Sequence, residues 1–141
     1  MKVIKRSGEV YVLQFERGEE VIGGLKSFCE KEEVKAGQVS MIGAAGRVEL
    51  GFYYLDKKDY DKVLIDEMVE VASAQGNIAV DEKGELIIHV HGVFSTSEKV
   101  WAGHVFSLEV GVTCEVVVRK LEGEMRREMD EGIGLKLLNF D

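Results

Sequence analysis

The sequence predicts an α+β fold: a single domain with a mostly antiparallel, curved β-sheet and one main amphipathic helix. Only one segment, starting at Val21, repeats its apolar residues with the period of a helix, whereas β-branched runs recur along the rest of the chain. The 141 residues are 45% hydrophobic and contain no proline, and no segment has the composition of a linker. We therefore expect residues 1–141 to fold around one core.

Two strands and the helix are predicted in the first part of the chain. Lys2–Arg6 and Glu9–Phe15 predict strands joined by a turn at Ser7-Gly8. The acidic pair that follows Arg17-Gly18 suits the first turn of a helix, where the helix dipole favours negative charge. Gly37 is the predicted helix stop. The apolar face of the helix consists of Val21, Ile22, Leu25, Phe28 and Cys29.

The middle of the chain is predicted to contain strands separated by connections. Val39–Ile42 and Arg47–Leu55 predict two strands. The Gly43–Gly46 segment between them, with the sequence GAAG, predicts either a tight bend or close backbone packing. Asp56–Lys62 is a charged connection, and Val63–Val71 predicts one or two short strands. This alternation of apolar runs and breaks is typical of an antiparallel sheet.

Further strands are predicted in the second half of the chain. A bend is expected over Ala72–Asn77, then a short strand at Ile78–Val80 and a hairpin-like turn at Glu82–Glu85. The apolar, β-branched run that starts at Leu86 predicts the next strand. The remaining predicted strands are Val100–Val110, Val110–Leu121 and Leu135–Phe140.

All three histidines of the chain lie in one short stretch, His89 and His91 first and then His104. Because residues i and i+2 of a strand point to the same face, His89 and His91 are expected side by side. If the following apolar run folds back beside this strand, His104 reaches the same place. Three imidazoles would leave one position of a tetrahedral metal ion open, as in catalytic zinc sites. The alternative is that the pair is an ordinary polar face of a strand and that His104 is unrelated to it.

Charge and composition argue against several classes of protein. The net charge is −8 and the Lys/Arg clusters are small, whereas nucleic-acid binders usually present a basic surface, so DNA binding by the chain on its own is not expected. Neither a signal-peptide pattern nor an apolar run of membrane-spanning length is present. Cys29 and Cys114 lie among apolar residues and predict buried thiols. We expect a cytoplasmic protein, and the abundance of Glu and Lys is typical of a heat-adapted surface.

An ordered set of sequence blocks carries a family resemblance. The blocks are, in order, RGEEVIGGLKSFCEKEEV, VSMIGAAGRVELGFY, VEVASAQGNI, HVHGVFS followed by WAGHV, and CEVVVRKL. Over roughly residues 8–122 the chain thereby resembles the plant-and-prokaryote-conserved (PPC) domain, and the ordered set is specific where each block alone would be weak. The tail MRREMDEGIGLKLLNFD is similar to that of stand-alone prokaryotic members.

The resemblance implies an α+β fold that assembles as a homotrimer, with sheets packed across the subunit interfaces. It also implies a three-histidine zinc site, because His89, His91 and His104 match the His-x-His and Gly-His positions of the prokaryotic members. Plant members lack these histidines and depend on AT-hooks for DNA contact. This sequence contains no Arg-Gly-Arg core and no proline. The DNA contact of the plant proteins is therefore not expected here.

Three more residues are candidates for ligand contact. Arg47 follows the GAAG segment, which the resemblance places near the subunit contact, and its guanidinium suits an acidic ligand. Glu98 is the acid nearest to the histidines in sequence, with a solvated loop glutamate as the alternative. Trp101 either lines a pocket beside His104 or anchors the core or the trimer interface. A general base cannot be assigned from the sequence.

Three hypotheses about function follow from these residues. The first is a homotrimeric, zinc-binding PPC-domain protein whose open three-histidine site binds or transforms a small molecule, as a zinc-dependent hydrolase or lyase does. The second is a non-catalytic module that contacts other proteins or, through a local basic patch, DNA. The third is that zinc only stabilises the trimer.

Overall fold

The computed structural model describes residues 1–139, which form nine strands of one sheet and an α-helix. The predicted strand at Leu135–Phe140 is present as far as Leu138, and Phe140 lies outside the described residues. The elements are β1 (Lys2–Ser7), β2 (Val10–Glu16), α1 (Val21–Lys31), β3 (Gly37–Tyr54), β4 (Asp59–Ile65), β5 (Val69–Asp81), β6 (Leu86–Ser95), β7 (Val100–Lys120), β8 (Arg126–Asp130) and β9 (Leu135–Leu138).

The sheet is mixed but mostly antiparallel, as predicted. Its main strand order is β1-β2-β7-β3-β5-β8-β9, with β4 on β3 and β6 between β5 and β7. Only the short β5–β8 pairing, at Val80↔Arg126 and Asp81↔Arg127, is parallel among the described strands. Strands β3, β5, β6 and β7 pair in a closed circuit, so the sheet curves back on itself.

Helix α1 begins where the acidic residues predicted it. The Glu20 carboxylate accepts hydrogen bonds from the backbone N–H groups of Ile22 at 3.0 Å and Gly23 at 2.6 Å, which satisfies donors that the helix leaves free. The helix ends at Lys31, earlier than the predicted stop at Gly37. The reason is that Glu33 adopts a positive φ of 52°, and the Val34 N–H closes the turn onto the Cys29 carbonyl at 2.8 Å.

The two glycine-containing segments of the middle region lie within long strands. The predicted bend at Ala72–Asn77 is wrong, because β5 runs through it. The GAAG segment belongs to β3, so close backbone packing is confirmed and the tight bend is wrong. A Cβ on Gly43 would lie 2.2 Å from the Thr113 carbonyl oxygen, and a Cβ on Gly76 would lie 2.1 Å from the His89 carbonyl oxygen. These glycines let neighbouring backbones approach rather than turn the chain.

Three other boundaries differ from the sequence prediction. The charged segment Asp56–Lys62 is only partly a connection, because its second half forms the exposed start of β4. The predicted strands Val100–Val110 and Val110–Leu121 form the single strand β7, which ends at Lys120 and pairs with β3 through β-bulges. Strand β8 (Arg126–Asp130) was not predicted, since the sequence RREMD has no apolar alternation. This last difference matters for the site.

The core fills the inside of the curved sheet and the space beneath the helix. Its largest fully buried side chains include Phe15, Leu25, Phe94 and Leu108. Both free thiols, Cys29 and Cys114, are buried, as predicted, and burial raises their pKa to about 12, so neither is a reactive nucleophile. Within residues 1–139, no helix has the length and hydropathy that a bilayer crossing requires.

Candidate metal centre

The three histidines converge on the outer face of the sheet. On β6 the side chains of Val90 and Phe94 point into the core, so His89 and His91 share the opposite face. Strand β7 folds back beside β6 as a hairpin, and His104 lies directly opposite His91 in the antiparallel register. The structure therefore brings together the three residues that the sequence singled out. Metal binding by them stays a prediction.

The spacing of the three imidazoles suits a single ion. Their ring centroids are 5.0 Å (His89–His91), 5.1 Å (His89–His104) and 5.4 Å (His91–His104) apart. One nitrogen from each ring lies within 4.8 Å of the other two. Nitrogens that share a tetrahedral zinc ion are about 3.3 Å apart. Small side-chain rotations would close the difference.

The two half-buried histidines are held neutral. Burial lowers the pKa of His89 to about 4, with the positive charge of Arg127 as the next cause. Burial likewise lowers the pKa of His104 to about 4, followed by the effects of His91 and Arg127. Both rings are therefore unprotonated at neutral pH, which is the form that binds metal ions. His91 is exposed and leaves the cluster open to solvent.

An orphaned nitrogen supports the fit to a metal ion. Nδ1 of His104 is buried and has no hydrogen-bond partner within the described residues. A buried polar atom without a partner is unfavourable by about 1–3 kcal/mol. A metal ion held by the cluster would relieve this, either by taking the Nδ1 lone pair directly or through the adjustment of the ring on binding. The residues present therefore fit a metal centre with three nitrogen ligands.

An arginine that sequence reasoning missed also reaches the cluster. Arg127, on β8, is buried, and its Nη2 donates to Nδ1 of His89 and to Oδ1 of Asn77, both at 2.9 Å. Its Nη1 donates to the carbonyl oxygen of Lys136 at 2.9 Å. In the sequence this residue is half of an Arg-Arg pair, and no pattern there distinguishes the buried arginine from the exposed Arg126.

Aromatic rings and a lysine complete the surroundings of His104. The rings of Phe106 and Tyr60 lie 4.7 Å and 5.3 Å from its imidazole. Nζ of Lys62 lies 4.1 Å from the centre of the Phe106 ring and 3.0 Å from the Glu49 carboxylate. The charged side chains that most affect the pKa values of the buried histidines are thus a lysine and an arginine, not carboxylates. The charged groups that lower these pKa values are therefore positive, although the chain has a net charge of −8.

The β8–β9 hairpin that carries Arg127 is fastened to the sheet by polar contacts. The buried Asp81 carboxylate accepts from Nζ of Lys136 at 2.6 Å and from the backbone N–H groups of Lys83 and Glu85 at 2.9 Å. The Lys136 ammonium first, and then these N–H groups, lower the pKa of Asp81 to about 2. The Tyr53 hydroxyl also donates to a carbonyl oxygen of the β8–β9 turn.

We expect Asp81→Asn to loosen this hairpin and to lower stability at neutral pH. A carboxyl group whose folded-state pKa is lowered adds stability above its unfolded pKa, about 3.9, and loses that contribution as the pH falls through about 2. The stability difference from wild type should be constant above about pH 5 and shrink in more acidic solution. Urea unfolding at a series of pH values measures it. Glu82→Gln, at an exposed carboxylate 3.6 Å from Lys136, is the matched control and should change little. Equal unfolding of wild type and Asp81→Asn at every pH would contradict the expectation.

The three secondary candidates lie away from the histidines. Arg47 is exposed on β3 opposite Glu109. Glu98 is exposed in the turn beyond the end of the β6–β7 hairpin, where its N–H donates to Thr96 Oγ1 at 3.2 Å. Trp101 packs partly against the core, on the opposite face from His104. A ligand-binding role for Arg47, Glu98 and Trp101 stays a prediction.

Sequence comparison assigns the chain to a known domain family. Residues 3–122 match the Plants and Prokaryotes Conserved (PCC) domain, the domain called PPC above. The chain belongs to this family. No curated protein matches it in sequence.

Solved structures of similar proteins share the whole fold. A metal-containing protein from Archaeoglobus fulgidus is 32% identical, with a TM-score of 0.88 over 99% of this chain and 100% of that one. A putative DNA-binding protein from Bacteroides thetaiotaomicron is 26% identical, with a TM-score of 0.91 over 96% of this chain and 95% of that one. A PPC protein from Pyrococcus horikoshii is 26% identical, with a TM-score of 0.85 over 99% and 98% of the two chains.

Proposed function

We propose that the chain is a homotrimeric zinc-binding protein whose open three-histidine centre binds or transforms a small molecule. The observation that carries the proposal is the convergence of His89, His91 and His104, with one nitrogen of each within 4.8 Å of the others. The description of the Archaeoglobus fulgidus relative as metal-containing supports it. The proposal goes beyond the family assignment, because membership of the family does not by itself specify an activity.

Zinc is the ion that this ligand set favours. Neutral imidazole is a borderline ligand that suits zinc, and three protein ligands leave a position for water or a substrate. When bound there, zinc would acidify a water molecule or polarise a carbonyl or phosphoryl oxygen, which suits a hydrolase or a lyase. The chain itself contributes the neutral state of His89 and His104 and the exposure of His91.

Metal analysis of the purified protein tests the proposal. The protein is prepared without chelators, refolded with zinc, freed of excess metal and examined by elemental analysis. We expect about one zinc ion per chain. Only protein with this zinc content is then screened for hydrolase or lyase activity. A metal content near zero would refute the centre.

The outer face of the sheet offers a surface for the trimer. Ile42, Val112 and Val117 are 57%, 61% and 38% exposed there, and clustered apolar exposure of this kind commonly marks an interface. A shallow depression of about 320 Å³ lies between β2, β7, β3 and β5 on the same face. It reaches Gln75, the cross-strand neighbour of His91. We propose that this face packs between subunits, which would put the metal centre near a subunit boundary.

We expect Ile42→Glu to dissociate the trimer, because it replaces an exposed apolar side chain of this face with a second carboxylate directly across from Glu115. Sedimentation equilibrium should give three times the chain mass of 15.7 kDa for wild type and a smaller mass for the variant. Val63→Glu, an exposed valine on β4 that is 47% exposed, serves as the control and should stay trimeric. A monomeric wild type, or a variant that stays trimeric, would contradict the assignment.

A non-catalytic module is the alternative function. The Bacteroides thetaiotaomicron relative is described as a putative DNA-binding protein, which favours this hypothesis. The net charge of −8 opposes it, because phosphate binding depends on clustered basic residues. A salt-dependent shift of duplex DNA at micromolar protein would support the module.

If zinc only stabilises the assembly, chelation would dissociate or melt the trimer and no turnover would accompany zinc binding.

A further inference from the structure

We propose that Arg127 binds the carboxylate group of a small organic anion beside the histidine cluster. This names the class of ligand for the centre and rests on the proposed function, because the cluster must hold a metal ion for the site to form. Arg127 would be a specificity-determining residue: it would select compact carboxylates over neutral molecules of the same shape. Two features of Arg127 support the inference, and its role in holding the β8–β9 hairpin explains neither of them.

The first feature is that Arg127 carries a buried positive charge without a counter-ion. Arg127 is 7% exposed, yet its hydrogen-bond partners are a side-chain amide oxygen, a backbone carbonyl oxygen and an imidazole nitrogen, all neutral. No ion pair within residues 1–139 includes it. Guanidinium stays protonated in proteins, and buried charges are normally paired. Its charge is therefore not balanced by any described residue.

The second feature is an unused hydrogen-bond donor. The Nε–H of Arg127 is buried and has no partner in the described part of the chain. A residue that served only to hold the hairpin would already be satisfied by Asn77 and Lys136. Guanidinium presents parallel N–H groups that match the two oxygens of a carboxylate. The unused donor therefore suits a carboxylate ligand.

Metal binding would release a second donor. A neutral imidazole has one nitrogen with a free lone pair, and its other nitrogen carries a hydrogen. Once the lone pair of His89 is given to a metal ion, Nδ1 is either the ligand atom or an N–H group. In both cases it can no longer accept the hydrogen bond that Nη2 of Arg127 donates to it at 2.9 Å. The guanidinium would then turn this N–H to a new acceptor.

The charge of the loaded centre would also favour an anionic ligand. Three neutral imidazoles would leave the charge of a divalent ion uncompensated, and Arg127 adds a further positive charge next to His89. Lys62 is already paired with Glu49 at 3.0 Å. A carboxylate that touches both the ion and the guanidinium would lower this repulsion more than a neutral ligand would. Such a ligand would enter from the exposed side of the cluster, at His91.

The test compares an anion with its neutral isostere on metal-loaded protein. Lactate and lactamide are titrated into cobalt-substituted wild type, Arg127→Met and Arg127→Lys, with the visible absorption of the cobalt centre as the readout. The control is Arg126→Gln, at the exposed neighbour of Arg127 on the same strand. Metal content and trimer mass are measured first for each variant, so loss of the metal centre is separated from loss of anion recognition.

We expect Arg127→Met to weaken lactate binding by about 10- to 100-fold, because a charge-assisted hydrogen bond is lost, and to leave lactamide binding within about twofold. Arg127→Lys should lie between, since it keeps the charge but not the planar fork. Arg126→Gln should match wild type. Equal lactate affinity in wild type and in a metal-loaded Arg127 variant would overturn the proposal. A wild type that holds no metal would refute the proposed function instead.

A measurement on wild type covers the case in which both Arg127 variants lose the metal or fail to fold. The guanidinium Nε–H signal of Arg127 is followed by NMR in zinc-loaded protein. Saturating lactate should shift this signal, because the unpartnered donor gains an acceptor, and lactamide should not. An Nε–H signal that is unchanged by lactate would overturn the proposal.

Discussion

His91→Ala should abolish stoichiometric metal binding and leave the fold of the metal-free protein unchanged. His91 is the exposed member of the cluster, so truncating it creates no cavity, and substitutions at such positions usually change stability by less than about 0.5 kcal/mol. Metal affinity, in contrast, loses one of three protein ligands. Substituting a residue that only orients a metal ligand already lowers metal affinity by about 10–100-fold. Because His91 is itself a proposed ligand, we expect its loss to lower metal affinity by more than about 100-fold.

Competition with a chromogenic chelator measures this loss, and urea unfolding of metal-free protein measures stability. Gln75→Ala is the matched control, because Gln75 is exposed and lies directly across from His91 on β5. It should keep wild-type metal affinity. An affinity for zinc that is the same in His91→Ala as in wild type would place the metal elsewhere.

Gly76→Ala should have the largest effect on stability and should weaken metal binding as well. A Cβ at this position would lie 2.1 Å from the His89 carbonyl oxygen and 2.9 Å from the Val90 Cα, both backbone atoms that cannot rotate away. Strands β5 and β6 must therefore separate locally, and we expect the free energy of unfolding to fall by about 2–4 kcal/mol. Because the displaced residue is His89 itself, the cluster would lose its spacing.

Urea unfolding of the metal-free variant and a zinc titration give the two readouts. Gly46→Ala is the control: its Cβ would meet the nearest atom, Gly111 Cα, at 3.5 Å, which is ordinary contact. That variant should stay within about 1 kcal/mol of wild type and bind metal normally. Wild-type stability in Gly76→Ala would mean that the two backbones lie further apart than the structure places them.

The convergence of the histidines was predictable because it depends on local rules. The i and i+2 positions of His89 and His91 follow from the alternation of a strand, and the hairpin that returns His104 needs only a short turn. The helix start was equally local, since Glu20 caps it through its own side chain. In each case residues close in sequence supply most of the interaction, although Glu20 also accepts a hydrogen bond from the Leu108 N–H at 3.2 Å.

Arg127 and the glycine segments were not predictable for the opposite reason. The side-chain partners of Arg127 are 50 residues away at Asn77 and 38 away at His89, so nothing beside it in sequence indicates that it is buried. Gly76 looks like a bend because glycine is common in turns, whereas its function is to admit the backbone of β6. Whether Gly76 forms a bend or admits a neighbouring backbone depends on β6, which pairs with it only in the folded chain.

The hairpin of β8 and β9 carries the proposed ligand-binding arginine on a different part of the chain from the proposed metal ligands. The histidines lie on β6 and β7, within the family-matched residues 3–122, whereas Arg127 enters from a segment that follows this region. A few polar contacts, chiefly the one between Lys136 and Asp81, hold that segment in place. If Arg127 selects the ligand as proposed, selectivity is modular: replacing the hairpin would retarget the centre to a different ligand without redesigning the strands that carry the imidazoles. The tail is the natural grafting point for engineering this scaffold.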